Sequence, residues 1–99
     1  MTEARYRRHG DVLWRLAHDR VVARRIGMEG VDLQGATALV WVVLDEPRSL
    51  TEIMAELAAA DHHLDHADVA MAVEQLTGAS LISATEPAYA ENFNAEPAR

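Results

Sequence analysis

The sequence predicts a small α+β domain in which a three-stranded antiparallel sheet is followed by three helices. Residues 11–26 (DVLWRLAHDRVVARRI) alternate apolar and polar positions on either side of a polar break, as half-buried strands do. Apolar positions between residues 36 and 77 instead recur at helical spacing, with capping residues at Ser49 and Asp65. A chain of 99 residues, 49% hydrophobic, has enough apolar content for one modest core and room for one domain.

Residues 1–10 are polar and Arg-rich, so they are expected to form a flexible, frayed N-terminus. From Asp11, Val12, Trp14 and Leu16 alternate with Leu13, Arg15 and Ala17 in a first strand. His18-Asp19 makes a tight turn, and the β-branched run from Arg20 to Ile26 returns as a second strand. Gly27 and Gly30 bracket the next turn, each able to take positive φ. Val31-Asp32-Leu33 is then a short third strand at the edge of the meander.

Ala36–Leu44 is ambiguous on propensity, because Val40, Val42 and Val43 favour a strand. Ala36, Ala38 and the stop at Glu46-Pro47 favour a helix, which is the reading adopted. Such a helix is apolar all round, with Trp41 and Leu44 on one face and Leu39 and Val43 on the other. Ser49-Leu50-Thr51-Glu52 is a capping box opening a second helix, with Leu50, Ile53 and Leu57 on one face and an end near Ala60. Asp65 caps a third helix, in which Val69, Val73 and Leu76 form the core stripe with Ala72 beside it. Gly78 is its stop, and Leu81-Ile82 packs back or adds a small strand. The expected organisation is a flexible segment 1–10, a folded domain 11–84 and a disordered tail 85–99.

Without cysteine the chain has neither disulfides nor thiolate metal sites. The longest apolar run, Ala38 to Leu44, is seven residues, far short of the roughly 20 of a membrane span. The N-terminus lacks the apolar run of a signal peptide, so a cytoplasmic protein with no membrane partner is expected. The net charge of −7 is unevenly divided. Residues 1–25 carry seven arginines against three acids, a balance of +4, whereas residues 26–99 carry two arginines against 13 acids, a balance of −11. The two regions should favour different partners.

His62, His63 and His66 cluster, but Asp65 is better used as a cap and the helix boundary separates the histidines, so solvated loop histidines are expected rather than a metal site. Nothing resembles a nucleophile elbow or a phosphate-cradling loop, and no enzyme or cofactor is expected. The third helix carries Asp68 and Glu74 without lysine or arginine, which opposes nucleic-acid binding.

The chain resembles a PqqD-like domain, the recognition element that binds leader peptides of ribosomally made, post-translationally modified peptides. The resemblance covers about residues 11–84. It rests on a strand pair, on Leu33, Gly35, Ala38, Trp41 and Leu44, on Pro47-Arg48-Ser49-Leu50 with Glu52-Ile53 and Leu57, and on Asp65, Val69, Leu76 and Leu81-Ile82. It implies a winged-helix-like fold and capture of the leader as an added antiparallel strand, in a cleft between the third strand and the third helix. Carried to this chain, it nominates Val31, Asp32 and Leu33 for backbone pairing, and Asp68, Ala72 and Gln75 for the opposite wall. An edge strand independently suits that role, since its unpaired N–H and C=O groups can take a guest strand. Gln34-Gly35 is a poorer helix start than the family's usual Ser, Thr or Asn. Val42 stands where a charged residue is common, adding apolar surface that favours a second protein contact.

The expected function is therefore non-catalytic: capture of a precursor's leader and its presentation to a modifying enzyme. The alternative is a winged-helix adaptor or regulator that binds protein or DNA. Arg15, Arg20, Arg24 and Arg25 are expected on a solvated sheet face, where they would attract an acidic peptide or enzyme surface. A homodimer is compatible with the sequence. Tyr89 and Phe93 in the tail are candidates for a self-plug of the peptide groove.

Overall fold

A computed structural model of the chain describes residues 3–85. The domain is α+β, with three helices and two three-stranded antiparallel sheets. In chain order the elements are β1 (Arg5–Arg8), β2 (Val12–Leu16), β3 (Val21–Arg25), β4 (Val31–Leu33), α1 (Gly35–Val43), β5 (Arg48–Ser49), α2 (Leu50–Ala59), α3 (His66–Gly78) and β6 (Ile82–Thr85).

The meander forms one sheet in the order β2-β3-β4, which leaves β4 at an edge. Leu16 lies opposite Val21 and Val21 opposite Leu33, so one face of this sheet is apolar. Val21, Ala23 and Leu33 are buried on that face. The Ala17 N–H donates to the Arg20 carbonyl at 2.8 Å, closing the first hairpin. At the next turn the Met28 N–H donates to the Arg25 carbonyl at 2.9 Å, and Gly27 at φ 86° supplies the left-handed residue that such a turn requires.

The segment 5–8, expected to fray, is a strand and the centre of the second sheet, in the order β5-β1-β6. Its partners, Arg48–Ser49 and Ile82–Thr85, are distant in sequence, so local pattern gives no sign of the pairing. The elements therefore do not run as a sheet followed by helices. The proposed tail 85–99 lies outside the described residues except for Thr85, which ends β6.

Residues 35–43 are helical despite their valines, and Val40, Trp41 and Leu44 are buried in the shared core. The structure bears out the capping box of α2: the Ser49 hydroxyl accepts from the Glu52 N–H at 3.2 Å, and the Glu52 carboxylate accepts from the Ser49 N–H at 2.8 Å. Asp65 occupies the N-cap of α3 but makes no side-chain capping bond. The α3 stop is not made by a left-handed Gly78. Ser80 takes φ 64°, its N–H donates to Thr77 at 3.0 Å, and the Leu81 N–H reaches back to Leu76 at 3.1 Å. The end of α2 repeats the device with Asp61 at φ 68°.

The core joins both sheets and all three helices: Val21 and Leu33 from the meander, Trp41, Ile53, Leu57, Val69 and Leu76 from the helices, and Ile82 from β6.

A candidate peptide-binding edge

Hydrogen-bond alternation along β3 decides what β4 can offer. In an antiparallel ladder, each residue turns its N–H and C=O to the same side, and successive residues alternate. The bonds of Ala17 with Arg20 and of Ile26 with Asp11 fix the phase of the β2–β3 pair. Val22 and Arg24 therefore bond toward β2, leaving Val21 and Ala23 to bond Leu33 and Val31. The backbone groups of Val31 and Leu33 are thus engaged with β3, and Asp32 is the β4 residue whose N–H and C=O face outward. Of the three residues nominated for backbone pairing, Asp32 is the one whose backbone groups have no backbone partner among the described residues.

The side chains follow the same alternation. Leu33 is buried and Val31 half-buried in the core, whereas Asp32 is exposed and lies 3.6 Å from the Arg20 guanidinium. Gln75 is exposed, and its side-chain oxygen accepts a 2.6 Å bond from the Thr37 hydroxyl. That bond ties α3 to the first turn of α1, four residues beyond Leu33. Asp68 is exposed in the first turn of α3, three residues before the exposed Met71. Ala72 is 2% exposed and belongs to the core, so its side chain is not on an open wall.

The four nominated arginines separate. Arg15 lies opposite Val22, which in turn faces Asp32, and Arg24 lies opposite Leu13, so these side chains share the outer sheet face with Arg20. Arg15 and Arg24 make no ion pair or side-chain hydrogen bond among the described residues. Arg25 is turned away: its Nε donates to both Asp11 carboxylate oxygens at 3.0 Å, and Nη1 reaches the Ser80 carbonyl at 3.3 Å. That side-chain bond from Arg25 holds the Asp11 carboxyl below its usual range. Among the described residues, no group of three or more His, Cys, Asp or Glu side chains is placed to hold a metal ion, and His63 instead contacts Asp61 at 3.2 Å. No described helix is long and apolar enough to cross a membrane.

Two features escaped the sequence reading. Arg8 sits 4.7 Å from the ring centroids of both Trp14 and Trp41, and its guanidinium donates to the Trp41 carbonyl at 2.7 and 3.2 Å. The opposite edge of the meander, β2, is exposed over Leu13–Leu16. The alternation of residues 12–16 carries a signal for that edge, whereas nothing local marks Arg8.

No family model, curated protein or solved structure matches this chain. What the site can do rests on its own geometry.

Proposed function

We propose that this chain is a non-catalytic, winged-helix-like peptide-binding domain of PqqD-like type. In this reading it captures the leader of a ribosomally made precursor by strand addition at β4 and presents that precursor to a modifying enzyme. The observation that carries the proposal is the outer edge of β4, which has no strand partner among the described residues and where Asp32 turns both backbone groups outward. A guest strand opposite Asp32 exchanges two main-chain hydrogen bonds there, while its side chains are read by the neighbouring surface. Held in this way, the core peptide reaches the enzyme at a raised effective concentration without any chemistry on this chain.

DNA recognition through α3 is disfavoured by charge. The helix carries Asp68 and Glu74 and neither lysine nor arginine, and phosphate contacts draw mainly on those side chains.

The test uses a synthetic leader from a precursor encoded beside this chain, titrated while the amide resonances are followed. Shifts are expected at Val31 to Leu33 and along residues 66–77. Asp32→Pro removes the outward N–H while sparing the bonds to β3, and proline is tolerated at such edge positions. It should weaken binding about three- to tenfold with the remaining amide spectrum retained. Unchanged affinity in Asp32→Pro, or shifts confined to other surfaces, overturns the proposal.

A further inference from the structure

By the alternation that frees Asp32 on β4, β2 carries a longer vacant edge. Leu13 and Arg15 bond toward β3, so Val12, Trp14 and Leu16 turn their N–H and C=O groups outward. No other backbone among the described residues takes these groups. Proteins usually blunt such an edge with charge, proline or a bulge. Here the strand reads VLWRL, with one charge and no proline. Leu13, Trp14 and Leu16 are 57%, 38% and 67% exposed, and Val42 on α1 is 40% exposed. Leu16 and Val42 also share the rim of an apolar cleft of about 370 Å³ with Ala38 and Leu39.

We propose that β2 is a dimer edge, on which a second copy of this chain pairs its own β2 antiparallel about Trp14. The edge is complementary to itself in both backbone and side chains. Pairing centred on Trp14 sets Val12 against the partner's Leu16 and Trp14 against the partner's Trp14. Val12, Trp14 and Leu16, the residues with outward-facing backbone groups, meet one another in this register, giving three hydrogen-bonded pairs, and Leu13 and Arg15 fall at the non-bonded positions between them. On the outer face, Leu13 lies opposite the partner's Arg15. The two arginines are thus not directly opposed, and the arginine methylenes cover the exposed leucine. The two meanders become one six-stranded sheet with a β4 at each end, so both candidate peptide edges stay open. A contact through one five-residue edge belongs with the small, weak class of interfaces, so the dimer is reversible. A dissociation constant of about 50 µM would leave it mostly monomer at about 5 µM and mostly dimer at about 500 µM.

Sedimentation of the full chain from about 5 to 500 µM tests this. The average mass should rise from 10.9 kDa toward twice that value. At the highest concentration, amide exchange at Val12, Trp14 and Leu16 should slow about fivefold, the inverse of the remaining monomer fraction, while Leu13 and Arg15 are unchanged. Leu16→Lys places a charge at an exposed position and should hold the chain monomeric with its amide spectrum otherwise retained. A chain that stays monomeric to the top of the range overturns the proposal. So does a dimer that survives Leu16→Lys without slowing those three amides, because its contact then lies elsewhere.

Discussion

Through one guanidinium, Arg8 ties β1 to the end of α1 and to the rings of Trp14 and Trp41. The last carbonyls of a helix are orphaned acceptors at the negative end of its dipole. In α1, which has no basic residue in its last turn, the Trp41 and Val42 carbonyls accept from Arg8, and the Val43 carbonyl accepts from Arg48 at 2.7 Å. Burial pulls the Arg8 pKa down and nearby Asp45 opposes it, but a guanidinium stays charged in the working range. Arg8→Ala is expected to cost about 2–3 kcal/mol, combining charged hydrogen bonds with the lost cation–π contacts. Lysine at this position should recover less than half, since an ammonium cannot fork over a carbonyl and face both indoles. Urea unfolding followed by tryptophan fluorescence measures both variants, and a loss within about 0.5 kcal/mol for Arg8→Ala would remove this role. Two carboxylates are held below their ordinary range. Arg25 holds Asp11 low through its side-chain bond, and the Ser49 N–H, aided by Arg5, holds Glu52 low. A depressed carboxyl stabilises the fold fully above its unfolded pKa and loses that contribution as pH falls through the folded value. The urea midpoint should therefore be level from about pH 7 to 5 and decline below about pH 4, with a shallower decline in Asp11→Asn and Glu52→Gln.

At the scale of single elements, two serines in different helix-terminal roles should respond with opposite signs. Ser49 is half of a complete capping box, and Ser49→Ala should lose about 1 kcal/mol. Ser80 is held at φ 64° where α3 ends, so Ser80→Gly relieves left-handed strain and should gain up to about 1 kcal/mol. Thermal melts of the two variants read the signs directly, and a destabilised Ser80→Gly would contradict the account of that helix end. The same contrast explains what was legible in the sequence. The capping box is written in four consecutive residues, the alternation of β2 in five, and the helical spacing of α3 in the stripe from Val69 to Leu76. The helix at 35–43 was harder, because its valines argue locally for a strand while burial of Val40, Trp41 and Leu44 against the core decides otherwise. The left-handed end at Ser80 had no glycine to announce it. β1 was unreadable for a different reason: RYRR looks like a solvated tail until its partners arrive from Arg48–Ser49 and Ile82–Thr85. Of the candidate site, the edge position of Val31–Leu33 could be read from the meander. The release of Asp32 and the burial of Ala72 needed the ladder phase and the helix packing.

Across the whole molecule, the N-terminal segment ties the middle of the chain to its C-terminal end. β1 lies between β5 and β6, Arg5 reaches the Glu52 carboxylate at 2.9 Å, and the His9 N–H donates to the Leu81 carbonyl at 2.9 Å. Tyr6 packs against the core that includes Ile82. Deleting residues 1–8 removes the central strand of one sheet, leaves β5 and β6 without their shared partner, and takes Arg8 from the end of α1. A domain of this size has about 5–15 kcal/mol of stability in total, and losing a central strand with its buried contacts consumes most of it. The truncated chain should therefore lack a cooperative urea transition at 25 °C, whereas Arg7→Ala, at an exposed position of the same strand, should shift stability by less than about 0.5 kcal/mol. Circular dichroism and amide dispersion of the two proteins decide the matter. A truncated chain that unfolds cooperatively near the full-length midpoint would mean that the β2-β3-β4 sheet and the helices hold the core together without β1.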